Sequence, residues 1–296
     1  MGHPIAHSMS PALHRAAWEQ LGLTGGSYER VEVPEGGLAR AVEELHGAGG
    51  VRALSVTMPL KAEALALGVA GVGADEASRR AGGANTLVWH DLGWWAANTD
   101  VPALERVIGR NLPEGRRGPA VLLGSGATAR SALLALHRTG VTKLTVVVRR
   151  EVRPELHTLA DELGVGLTVA RLTGLDGLLR GAAGDGPRQG TAAPLLEGTS
   201  APLLVVNTLP AGWWETLPAP AWGQEGAGLV WVDAQYADWP HPWAAAAEGS
   251  GARVVSGLHM LVEQAVDQVE LMTGHRPTAE GTAGGLPAEL RALHRL

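Results

Sequence analysis

The chain has no cysteine and no phenylalanine, and its 24 Lys and Arg are outnumbered by 30 Asp and Glu. Without cysteine there can be no disulfide, thiolate metal site or cysteine nucleophile. A net charge of −6 argues against nucleic acid as a partner, which would call for a basic surface, and no basic stripe interleaved with aromatics occurs. No apolar run reaches the roughly 20 residues of a membrane-spanning helix, and the N-terminus lacks the basic-then-apolar order of a secretory signal. The expectation is a cytoplasmic protein without a membrane partner. The eleven histidines include no H-E-x-x-H or comparable ligand pair, so no metal is expected. What remains is a 296-residue chain, 45% hydrophobic, long enough for two domains with full cores. Its ten Trp have no functional explanation in composition alone.

The chain is organised around the apolar run that begins at Pro119 and stops at Gly124-Ser-Gly126, followed directly by the Ala- and Leu-rich segment that ends near His137. This reads as strand, tight turn and helix, and Gly124, Gly126 and Ala129 match G-x-G-x-x-A. A turn over Gly124, Ser125, Gly126, Ala127, Thr128 and Ala129 aims the free N–H groups of the helix, and the positive end of its dipole, at a pyrophosphate. An ordinary strand-to-helix turn is the bland alternative; the second apolar strand Leu144–Val148, at βαβ spacing, favours the dinucleotide. After that strand stand Arg149, Arg150 and Arg153, where an NAD site would place a carboxylate. Guanidinium forks suit the 2′-phosphate of NADP, with Glu151 as the one contrary sign.

Upstream, Gly2–Pro11 is a loop leading into a helix over Ala12–Leu21, so Ser8 and Ser10 sit at a helix start, either capping it or donating together to a carboxylate. Tyr28–Val33 reads as a strand, Leu38–His46 as a helix, Val51–Thr57 as a strand and Leu60–Leu67 as a helix. Thr57 and Lys61 thereby flank the carboxyl end of a strand, where open α/β sheets place ligands, although a lone lysine is usually a surface residue. Residues 81–90 and 93–100 flank the turn Asp91-Leu-Gly93 and read as a hairpin, after which Asp100 opens a helix and would serve as an ordinary N-cap. The link Pro113–Gly118 suggests a domain boundary. Beyond it, strands at Gly166–Leu172, Leu203–Val206, Leu229–Tyr236 and Arg253–Gly257 alternate with helices, with a polar loop at Asp185–Pro202. Gly257 opens a long helix to about Thr273 that carries Gln264, and Pro277–Leu296 reads as a polar tail with a short helix. The fold class is α/β, in two domains with mostly parallel sheets.

Seven short motifs in order resemble the shikimate dehydrogenase family. They are Gly2-x-Pro-Ile-x-His-Ser-x-Ser-Pro11, Val56-Thr-Met-Pro-Leu-Lys61, Gly83-Ala-Asn-Thr86, Asn98-Thr-Asp100, the Gly124 turn, Asp233-x-x-Tyr236 and Gly257-Leu-x-Met-Leu-Val-x-Gln-Ala265. The resemblance implies NADP-dependent interconversion of 3-dehydroshikimate and shikimate on the route to chorismate and the aromatic amino acids. It also implies a substrate-binding domain over 1–101, a Rossmann dinucleotide-binding domain over 102–257, and C-terminal helices over 258–296 that return to the substrate domain. Lys61 and Asp100 resemble the catalytic pair, Ser8 and Ser10 the hydroxyls that receive the substrate carboxylate, and Thr57, Asn85, Tyr236 and Gln264 its other contacts. Gly257 resembles the backbone position beside the nicotinamide. The expected partner is the small substrate, and the expected assembly a monomer or homodimer. Three departures stand out: Ser55 where the family often has Asn, Val148-Arg-Arg150 for Asn-Arg-Thr/Ser, and Asn207-Thr-Leu-Pro210 for Asn-Ala-Thr-Ser. The family also carries a short strand ahead of Gly2, so the expectation is either a start further upstream or a sheet lacking that strand. A quinate dehydrogenase using NAD, a non-catalytic ligand-binding paralogue and an unrelated Rossmann enzyme are the rival readings.

Overall fold

The computed structural model of the protein describes residues 1–112, 120–183, 204–222 and 227–296; the link at 113–118 and the loop at 185–202 lie outside the described residues. The chain begins with short alternating elements: α1 (Ser10–Gln20), α2 (Leu38–Gly49), β1 (Ala53–Ser55), α3 (Lys61–Ala70), β2 (Gly73–Ala74), α4 (Glu76–Ala81), β3 (Thr86–His90), β4 (Gly93–Ala97) and α5 (Asp100–Asn111). Pro11 sits in the first turn of α1, where its missing N–H costs nothing. The Asp75 carboxylate caps α4 by accepting from Ser78 N–H at 2.7 Å. The strands form one sheet in the order β1-β3-β4-β2.

The predicted hairpin forms, with only Asp91 and Leu92 between the paired His90 and Gly93. So short a connection can only return antiparallel. As β3 is also antiparallel to β1, this smaller sheet is mixed rather than mostly parallel, and β2 alone joins in parallel, beside β4. A second difference concerns Tyr28–Val33, which is not a strand: Gly2 and Glu32 make one isolated parallel bridge. The Tyr28 ring packs instead on α1, 4.1 Å from His14 and 6.2 Å from Trp18, and Pro34 ends the extended run.

Next come β5 (Ala120–Leu123), α6 (Ala127–Arg138), β6 (Lys143–Val148), α7 (Pro154–Leu163), β7 (Gly166–Arg171), α8 (Leu175–Ala183), β8 (Leu204–Asn207), β9 (Val230–Asp233), α9 (Pro242–Gly249) and β10 (Arg253–Val255). Every pairing in this sheet is parallel, in the order β10-β9-β8-β5-β6-β7, which is the doubly wound Rossmann order with its switch point between β5 and β8. The core beneath it explains the tryptophans: Trp213, Trp231 and Trp243 are fully buried together with Leu123, Val147 and Val205. Indole N–H groups of Trp213 and Trp243 have no hydrogen-bond partner among the described residues. Each such group costs about 1–3 kcal/mol. Burying the indole itself returns about 4–6 kcal/mol at 25 cal/mol per Å², so burial wins.

α10 (Gly257–Thr273), α11 (Ala279–Ala283) and α12 (Ala288–His294) complete the chain. The residues group into two compact units, 1–103 with 260–296, and 104–259. Residues 277–296, whose composition reads as a polar tail with a short helix, carry α11 and α12 and are docked. The Gln20 side chain donates to Thr278 Oγ1 at 2.8 Å and accepts from Thr278 N–H at 3.1 Å, and Thr282, Ala283 and Leu286 are buried. Contact with α1 is so close that a Cβ on Gly285 would stand 2.2 Å from the Ala12 carbonyl oxygen. Among the described residues no helix is long and apolar enough to cross a membrane.

His14 is fully buried in α1, and neither ring nitrogen has a hydrogen-bond partner among the described residues. Burial pushes its pKa down to about 3 from 6.5. The unfolded chain therefore binds the extra proton first, and the stability tied to neutral His14, complete above pH 6.5, declines as pH falls toward 3. At pH 5 the loss is about 2 kcal/mol. Urea unfolding at pH 7 and pH 5 should show this decline, and His14→Leu should flatten it by a similar amount.

Candidate active site

The hairpin determines which distant residues meet. Thr86 pairs with Ala97, so Asn85, just before β3, lies beside Asn98-Thr-Asp100, just after β4. Ser55 pairs with Thr86, which brings the end of β1 and the start of α3 to the same edge. Backbone bonds seal the junction, from Val56 N to Asn85 O at 2.7 Å and from Ala84 N to Lys61 O at 2.8 Å.

At this junction the Lys61 ammonium donates to Asp100 Oδ2 at 2.6 Å, with both residues buried. The other carboxylate oxygen, Oδ1, accepts from Asn85 Nδ2 at 2.9 Å. Asp100 thus uses its oxygens on Lys61 and Asn85 rather than as a simple helix cap, while its own N–H donates to Asn98 Oδ1 at 3.1 Å. Asn98 is held in turn by donating to the Gly83 carbonyl at 2.8 Å. From α10, Gln264 accepts from Asn85 Nδ2 at 3.5 Å and donates to Leu261 O at 2.9 Å.

Ser8 and Ser10 are half-buried at the start of α1; Ser8 Oγ accepts from Ser10 N–H at 3.3 Å, and the Ser8 carbonyl accepts from the Arg30 guanidinium at 2.7 and 3.0 Å. Burial pushes the Tyr28 phenol up to about 12, opposed by hydrogen bonding to Ser55 and Ser10, so at neutral pH it keeps its proton. Thr57 is exposed, and its backbone N–H donates to Met1 O at 2.8 Å.

In the second unit, the turn from β5 to α6 occupies the switch point. Gly124 has φ +103°, and a Cβ there would stand 2.8 Å from Thr208 Oγ1. Gly126 differs from the sequence expectation, since its φ of −80° demands no glycine; what it leaves is open space at the helix N-terminus. Ser125 Oγ accepts from Arg153 N–H at 3.3 Å, and Arg149, Arg150 and Arg153 are exposed around the end of β6. An anion fits this combination of a helix N-terminus, an open approach and three cations. Tyr236 follows β9 and Gly257 follows β10 in the same unit.

Two family models match. The shikimate dehydrogenase substrate binding domain covers residues 1–87, and the shikimate 5′-dehydrogenase C-terminal domain covers residues 257–281. A shikimate dehydrogenase (NADP(+)) of Cupriavidus necator is 33% identical, across 99% of this chain and 93% of its own. The chain belongs to the shikimate dehydrogenase family. It is therefore an oxidoreductase. Similar solved structures include the Mycobacterium tuberculosis shikimate dehydrogenase, 35% identical with TM-score 0.73 over 96% of this chain and 97% of that one. Another is the Thermus thermophilus shikimate 5-dehydrogenase in complex with NADP(H) and shikimate, 29% identical with TM-score 0.73 over 96% of this chain and 95% of that one.

Several residues at these shikimate dehydrogenase-like sites escaped sequence reading. Thr86, Thr99 and Gln268 all hydrogen-bond to Asn85; Thr86 and Thr99 stand inside two of the motifs without an assigned role, and Gln268 lies outside them. Arg130 is buried in the first turns of α6; burial lowers its pKa, Glu155 raises it and Arg153 lowers it further. Its signal was only its place one residue beyond the glycine motif. Around the switch point, Asp233 is fully buried and accepts from Asn207 Nδ2 at 2.9 Å, His241 Nε2 at 2.8 Å and Gln235 N–H at 2.8 Å.

The Gly124 conformation yields a direct test. Gly124→Ala should lower unfolding stability by about 1–3 kcal/mol in a urea titration, because the new Cβ meets Thr208 in a left-handed backbone.

Proposed function

We propose that this chain is an NADP-dependent shikimate dehydrogenase, interconverting 3-dehydroshikimate and shikimate. The single observation that carries the reading is the buried Lys61–Asp100 contact of 2.6 Å, braced by Asn85. The family membership and the NADP(+)-dependent relatives support it. In this reading residues 1–103 with 260–296 are the substrate-binding domain, and 104–259 the dinucleotide-binding domain.

When bound, NADPH supplies the hydride that reduces the ring ketone. Lys61 then hydrogen-bonds the oxygen as negative charge develops on it and delivers the proton that makes it a hydroxyl. Asp100 keeps the ammonium aimed and accepts from a substrate hydroxyl. Ser8 and Ser10 would receive the carboxylate, while Thr57, Asn85 and Gln264 of the same unit would complete the contacts. Such a set rejects an analogue missing a hydroxyl, because its own polar groups would be left unpaired. At the other site Gly124, Ser125, Gly126, Ala127, Thr128 and Ala129 hold the pyrophosphate, and Arg149, Arg150 and Arg153 meet the 2′-phosphate. Gly257 would stand beside the nicotinamide, and a Cβ there would already meet the Gln235 carbonyl oxygen at 2.5 Å. The action is on a CH–OH group of a cytoplasmic metabolite.

The decisive assay follows reduced-nicotinamide absorbance with shikimate or quinate and NADP or NAD. Fastest turnover is expected with shikimate and NADP; faster quinate oxidation with NAD would replace this reading with a quinate dehydrogenase. Lys61→Ala should lower kcat by about 10²- to 10⁴-fold while NADPH still binds, as read by fluorescence titration. Arg149→Gln should weaken NADPH binding by about 10- to 100-fold and leave NADH binding nearly unchanged, since only the 2′-phosphate contact is lost.

A further inference from the structure

The Asn85 amide can serve Asp100 only in one of its two orientations, and the hydrogen bonds around it determine which. Thr99 contributes a backbone N–H, which can only donate, and it donates to Asn85 Oδ1 at 2.9 Å. Thr86 Oγ1 reaches the same oxygen at 2.9 Å. A hydroxyl has one proton, and what directs it is Gln268 on α10. Gln268 Nε2 donates to the Asn85 backbone carbonyl at 3.0 Å, an acceptor only, so the nitrogen end of the Gln268 amide is unambiguous. The same nitrogen donates to Thr86 Oγ1 at 3.0 Å. Thr86 therefore accepts on that side and sends its proton to Asn85 Oδ1. At the opposite end Gln268 Oε1 accepts from Ser55 Oγ at 2.8 Å. Gln268 is buried, and each polar end of its side chain is engaged.

We propose that Gln268 is a positioning residue of the active site. Through Thr86 it locks the Asn85 amide with its nitrogen toward Asp100, and through Asn85 it sets the carboxylate that aims Lys61. Ser55 has no amide, and Gln268 brings one to the same place from another element of the same unit. A core glutamine that merely satisfies its neighbours would matter for stability alone; this one stands three hydrogen bonds from the carboxylate, by way of Thr86 and Asn85, in a chain with a fixed donor direction. The inference rests on the roles given above to Lys61 and Asp100.

The test uses the full-length protein with shikimate and NADP. Gln268→Met keeps the length and apolar volume and removes every hydrogen bond; Thr86→Val breaks the next link, and Thr86→Ser restores it. Gln268→Met and Thr86→Val should each lower kcat by about tenfold or more, with Tm and the Kd for NADPH close to wild type. Thr86→Ser should retain wild-type kcat, and the double variant should be no worse than the poorer single one, since both cut one relay. Should Gln268→Met fail to fold, the Thr86→Val and Thr86→Ser pair decides alone. Wild-type kcat in Gln268→Met or in Thr86→Val, or effects that multiply in the double variant, overturns the relay while leaving the proposed function intact. A wild-type protein without shikimate-dependent NADP reduction defeats both.

Discussion

Taking an ammonium and a carboxylate out of water costs several kcal/mol per ion even after relaxation, and the attraction between them offsets this only when geometry and further hydrogen bonds are good. Lys61 and Asp100 are in that position, and much of the first unit meets its terms. Asp100 begins α5, whose positive dipole end favours an anion. Lys61 begins α3, where the same effect disfavours a cation. The pair is thus asymmetric: the carboxylate is stabilised by its own helix and the ammonium mainly by the carboxylate. Everything that holds Asp100 still, from the Asn85 amide to the Asn98 side chain, therefore also holds the lysine.

A different constraint governs the second unit. A parallel sheet puts all its strand ends at one edge, and the order reversal between β5 and β8 opens a crevice there. Gly124 can enter it because it lacks a Cβ, and Thr208 closes the other side by donating to Leu123 O at 2.7 Å. Behind this edge the buried Asp233 is satisfied by Asn207, Trp231 and His241. Nδ1 of His241 accepts from Ala244 N–H at the start of α9, so Nε2 carries the hydrogen given to Asp233. The imidazole joins the end of β9 to a helix cap, and the stacked Trp214 ring, 4.7 Å away, covers it. Tryptophan fills volume that phenylalanine would usually share.

Legibility followed the range of the interactions. α1, read as Ala12–Leu21 after Pro11, and the switch from β5 to α6 were visible because hydrophobic period, proline and glycine are local signals. α4, α8 and α9 were not read: α4 and α9 are short and Ala-rich, and α8 carries glycine in its interior. In the carboxyl-terminal segment composition alone showed only a tail with a short helix, since its Gly and Thr residues gain their purpose only against Gln20 and Ala12.

By itself the sequence determined the α/β class, the glycine turn at Gly124 and, through motifs written in residue types at short spacing, the family; only that resemblance marked Lys61, Asp100 and Asn85 as the residues to watch. Only the tertiary structure decided that the substrate-side sheet is mixed, that Tyr28 packs on α1 rather than pairing in a strand, and that Gln268 lies behind Asn85. Such outcomes depend on which side chains meet across 183 positions of chain, as Asn85 and Gln268 do, and no local pattern encodes a meeting of that kind.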